Sequence, residues 1–154
     1  MTWFKHTTRH TDWQKRLNEV FTLYENTDFE WGRTDCFCFA SDCVKAMVGT
    51  GPMDGFKGLY TDETQATSLL QIGTTAHDNN FYRFNGVLGF WSKYLGEPKK
   101  KGGVMVGDIV VCHIPRHDLV TGVVNDTGRY IYLNSYGRNL IEVPIGRAKY
   151  VWGV

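Results

Sequence analysis

A chain of 154 residues with 42% hydrophobic and 14% aromatic content is long enough to bury one core and too apolar to stay disordered. Its formal net charge of +1 gives no ground for nucleic-acid binding or for an acidic substrate. No run approaches the roughly 18 apolar residues of a membrane helix. Met1-Thr2-Trp3-Phe4-Lys5-His6 lacks the apolar core of a signal peptide, so the chain is expected to fold in a cytosol with Cys36, Cys38, Cys43 and Cys112 as free thiols.

Residues 1–10 read as an irregular arm, and residues 11–154 as one domain. The first helix is expected from Thr11, because Trp13, Leu17, Val20, Phe21 and Tyr24 fall on one face. After a turn region at 26–35, a second helix spans about 36–48, with Asp35 as its N-cap and Gly49 as its stop. The stretch 50–58 is glycine-rich loop, and a third helix over 62–71 is capped by Thr61 and ended by Gly73. Within 77–96, Phe81, Phe84, Leu88 and Trp91 suggest helix, against which Gly86 and Gly89 weigh. Lys99-Lys100-Lys101, beside Pro98 and Gly102-Gly103, reads as a solvated linker.

The texture then changes to strand at 108–114, 119–125, 129–134, 140–143 and 148–152. Pro115, Asp126-Thr127-Gly128, Tyr136-Gly137 and Pro144-Ile145-Gly146 separate these runs as turns. Helices within 11–96 followed by a sheet within 106–154 make an α+β domain, with the strands expected as a small antiparallel meander.

The chemistry-bearing block is Trp31-Gly32-Arg33-Thr34-Asp35-Cys36, which delivers a thiol onto the first turn of the second helix. A thiol there feels the positive end of the helix dipole, which favours the nucleophilic thiolate. Ala40, Cys43 and Met47 share its face, so Cys36 is expected at the edge of a core. No metal or cofactor is expected, since Cys36-X-Cys38-X4-Cys43 is not a zinc or iron–sulfur spacing. Cys36 and Cys38 diverge by about 200° on a helix, which leaves Cys36, Cys43 and Cys112 as the one set able to meet. Arg33 reads as an anchor of the preceding turn, His77-Asp78 as a helix cap, and Trp3, Phe4 and His6 as arm residues that would anchor a neighbour in an assembly.

The Trp-Gly-Arg-X-Asp-Cys block, Gly49-Thr50-Gly51-Pro52, Gly58-Leu59-Tyr60, Val106-Gly107-Asp108-Ile109-Val110-Val111 and Tyr150-Val151-Trp152-Gly153-Val154 together resemble an uncharacterised family of tailed-phage and prophage tail gene clusters. The resemblance covers about residues 10–154, and 77–100 fits least. That family is similar to NlpC-type, papain-like cysteine peptidases, which cut amide bonds in peptidoglycan stem peptides. The resemblance implies a papain-like fold: N-terminal helices, one bearing the cysteine, packed on a C-terminal antiparallel sheet or half-barrel. It matches Cys36 to the nucleophile and Asn134 to the orienting residue, and puts Val120 where those enzymes carry a histidine two residues before Gly122-Val123-Val124.

A cysteine peptidase needs an imidazole to hold the thiolate and to protonate the leaving amine, and valine does neither. His113 and His117 are the nearby substitutes, and His117, in the hairpin before Val120, completes a conditional set of Cys36, His117 and Asn134. By strand alternation His113 shares a face with Ile109 and Val111. The first expectation is therefore a structural or assembly component of a phage tail tip with an incomplete catalytic set. It would be assembled in the host cytoplasm, reside in the virion, and dock on a hub or distal tail ring through its loops and arm. The alternatives are an active tail-associated cysteine peptidase or amidase acting on peptidoglycan peptides or a tail protein, and a cytosolic chaperone of tail assembly.

Overall fold

The computed structural model describes residues 8–100, 103–114, 119–134 and 139–154. Among the described residues, four α-helices precede a five-stranded antiparallel sheet in an α+β arrangement. Helix α1 (Trp13–Glu25) buries Leu17, Phe21 and Tyr24 on the expected face, but begins after Asp12 rather than at Thr11. Helix α2 (Cys36–Val48) starts and stops as its sequence directs: the Asp35 side chain accepts from Cys38 N, and Gly49 closes the helix at φ +96°. Eight residues of α2 are buried, from Phe37 to Met47, so it is the central helix and packs on both α1 and the sheet.

Helix α3 (Glu63–Gln71) is capped by Asp62, whose side chain accepts from Gln65 N, and not by Thr61. Thr61 N instead donates to Gln65 Oε1, so cap and third residue satisfy each other's neighbourhood one position later than expected. Residues 77–96 are not one helix. A two-stranded ribbon, β1 (Thr74–Thr75) and β2 (Phe81–Tyr82), is followed by α4 (Val87–Leu95). Phe81 and Phe84 therefore lie before the helix, and Gly86, at φ +95°, is its N-cap. Gly89 stays inside α4 because a Cβ there would meet Phe84 O at 1.6 Å. His77-Asp78 is the turn of the ribbon rather than a helix cap: Asp78 accepts from Asn80 N and Tyr82 Oη.

The main sheet comprises β3 (Ile109–His113), β4 (Leu119–Val124), β5 (Tyr130–Asn134), β6 (Leu140–Pro144) and β7 (Ala148–Trp152). Its order is β6-β5-β4-β3-β7, so the expected meander holds for four strands and β7 returns to pair with β3. The turns expected at Pro115 and Tyr136-Gly137 lie outside the described residues, as do residues 1–7 of the arm. Arg9 and His10 are tied down, through Arg9 Nε to Val154 O and His10 N to Met47 O. Lys99 is no solvated linker residue, because its Nζ stands 2.7 Å from the buried carboxylate of Asp108.

The strands β6 and β7 lie at opposite edges of the sheet, yet one 3-10 turn, Ile145–Arg147, joins them. In a flat sheet those edges would be roughly 19 Å apart, four strand spacings. Four Cα steps span at most about 15 Å. The sheet therefore coils, and its concave face gathers a second, smaller core. Val110, Cys112, Val124, Ile131 and Leu133 are fully buried there, with Val120, Ile141, Val143, Ala148 and Val151 packed around them. Gly122 belongs to this lining, since a Cβ would meet Leu133 Cδ2 at 2.4 Å. The convex face carries Ile109, Val111, Val123, Tyr132 and Trp152 against the helices. A register shift between Val111 and Cys112 lets Ala148 and Tyr150 serve opposite faces.

Candidate functional site

The start of α2 is built by three loops that interlock. Asp35 is 1% exposed, and its carboxylate accepts from Gly32 N at 2.8 Å, Cys38 N at 2.9 Å and Tyr60 Oη at 2.5 Å. Gly58 N donates to Gly32 O, and Gly32, at φ +81°, approaches so closely that a Cβ would stand 2.1 Å from Tyr60 O. One turn further along α2, Ser41 Oγ accepts from Met53 N, and Gly51 leaves room for that hydroxyl. Asp42 then takes Lys57 Nζ at 2.5 Å and Tyr24 Oη at 2.6 Å. The Trp-Gly-Arg-X-Asp-Cys, Gly-Thr-Gly-Pro and Gly-Leu-Tyr blocks thus form one unit clasped around the helix.

Cys36 occupies the first residue of α2, where the backbone N–H of Thr121 on β4 faces its sulfur. Although the residue retains some exposure, the thiol is packed, and burial pushes it up to about 12, with the neighbouring Asp35 carboxylate acting in the same direction. The helix dipole and the backbone N–H groups of Thr121, Phe37 and Cys36 oppose that rise without overcoming it. The physical reason is local: the side chain that caps the helix puts a carboxylate beside the sulfur that the dipole would otherwise ionise.

Asn134 reaches the same end of α2, and its Nδ2 donates to Thr34 O. It is buried, and its Oδ1 has no hydrogen-bond partner among the described residues. Val120 does not face the thiol. It pairs with Cys112 and packs in the concave cluster, so a side chain at that position points away from α2. On the helix side of β4 stands Thr121, whose Oγ1 accepts from Trp91 Nε1 at 3.0 Å. His113 is exposed at the end of β3, opposite Leu119 and on the face predicted for it. His10 sits at the other end of α2 near Gly49, His77 Nε2 lies 2.7 Å from Lys57 O, and His117 lies outside the described residues.

Cys36, Cys43 and Cys112 are not brought together, because Cys112 is on the concave face and α2 packs on the convex one. Among the described residues no three His, Cys, Asp or Glu side chains gather as metal ligands. Arg33 is exposed, with Nε 3.6 Å from Glu30, in keeping with a role in the turn.

A family model described as a domain of unknown function, DUF6950, matches residues 8–154. The chain belongs to the DUF6950 family. No curated protein matches it. In this DUF6950 domain the chemistry available at the start of α2 is that of a protonated thiol flanked by hydrogen-bond donors and a carboxylate, with Asn134 close by. Tyr60, Thr121, Lys57 and Asp42 join this region through contacts that their sequence positions do not announce. Once Tyr60 is buried, its hydroxyl is expected to find a partner, and here that partner is Asp35.

Proposed function

We propose that this DUF6950 domain is a structural or assembly component of a bacteriophage tail, near the tip, built on a papain-like framework in which Cys36 is a packing residue. One observation carries the reading: the Cys36 thiol is packed beneath Thr121, next to the Asp35 carboxylate, in surroundings that keep its proton on. The tail assignment rests on the resemblance of the motif blocks, which clasp around α2, and the proposed partner is a hub or distal tail ring. The site of action is then the virion, after assembly in the host cytoplasm. The test is a phage or prophage carrying this chain, with Cys36→Ser and a deletion compared. The reading expects the protein in purified tails, normal infectivity for Cys36→Ser and no complete tails without the chain. Complete tails containing Cys36→Ser but unable to infect would overturn it, as would tails that lack the wild-type protein, which would fit an assembly chaperone.

The second reading is an active tail-associated cysteine peptidase or amidase acting on peptidoglycan peptides. Cys36 at a helix start, with Asn134 Nδ2 bonded to Thr34 O two residues before it, favours that reading. Its base would be His117 or His113. It requires alkylation of Cys36 by iodoacetamide to plateau well below pH 9 and to slow when one of those histidines becomes alanine.

A further inference from the structure

We draw no further inference here: the strongest candidate, the exposed pair Ile72 and Phe81 where α3 runs into the β1–β2 ribbon beside the shallow groove of Glu63, Thr67 and Gln71, carries nothing because nothing in the structure shows what covers it.

Discussion

Tyr60 Oη donates to Asp35 Oδ2 at 2.5 Å, joining two residues 25 positions apart, both almost completely buried. The bond fastens the loop after α2 to the cap of the same helix. Replacing Tyr60 with Phe keeps the ring and removes the donor, leaving a buried carboxylate with one partner fewer. A hydrogen bond to a charged group contributes about 1.5–3 kcal/mol. Urea unfolding of Tyr60→Phe is therefore expected to show a loss of that size, and a loss below about 0.5 kcal/mol would mean that the clasp is held elsewhere.

Stability should fall as pH rises above 8. The Cys36 thiol titrates near 12 in the folded chain, whereas an unfolded cysteine titrates near 8.5. Below both values each state keeps the proton and the full stability is present. Above 8.5 the unfolded chain releases its proton first, so the unfolded state is favoured increasingly until the folded thiol also ionises near 12. Between pH 8 and 9.5 the loss is about 1 kcal/mol for each such thiol. Burial raises Cys38 and Cys43 in the same direction, so they add to it. Denaturation at pH 8, 9 and 9.5 should show the decline, and Cys36→Ala should make it shallower by one thiol's share.

Removing the charge beside the sulfur should wake it in part. Asp35→Asn retains an acceptor for Cys38 N, and Asp35→Ser substitutes another good N-cap. In either variant, alkylation of Cys36 at pH 8, read by mass spectrometry of the labelled peptide, is expected to rise about tenfold, the equivalent of one pKa unit. Burial, the larger cause, remains and limits the gain. A folded variant with an unchanged rate would show that Asp35 has no hold on the thiol.

Val120→His should not supply a catalytic base. The imidazole would enter the concave cluster of Val110, Cys112, Val124, Ile131 and Leu133, away from α2. The expectation is a destabilisation of about 1–3 kcal/mol from a buried polar group, with no change in the pH profile of Cys36 alkylation. A new inflection near pH 6–7 would show that position 120 does reach the sulfur.

Local signals made much of the fold legible. Asp35 and Gly49 fixed α2 to the residue, and alternation placed His113, Ile109 and Val111 on one face. What failed was non-local. Phe81, Phe84, Leu88 and Trp91 share a helical period, yet Gly86 breaks the pattern by starting α4 there and leaving the first two on a ribbon and its exit. Lys99 resembled its neighbours until the fold brought Asp108 to it. At the site, the sequence singled out Cys36 and also Asn134, whose Nδ2 bonds Thr34 O at the same end of α2. It did not reveal which face of β4 looks toward them, because that depends on how the sheet coils.

The crossing from β6 to β7 has a consequence for how the chain comes to be made. Strand β3 can form its hairpin with β4 once Val124 has emerged, but its other edge waits for β7, whose Trp152 pairs with Ile109 some forty residues further on. Until β7 has left the ribosome, β3 carries a row of open hydrogen-bonding groups and the concave face has no lid. Nascent chains are then at their most adhesive in the interval before β7 emerges, and slowing translation ahead of Ala148 is expected to raise the fraction lost to aggregates.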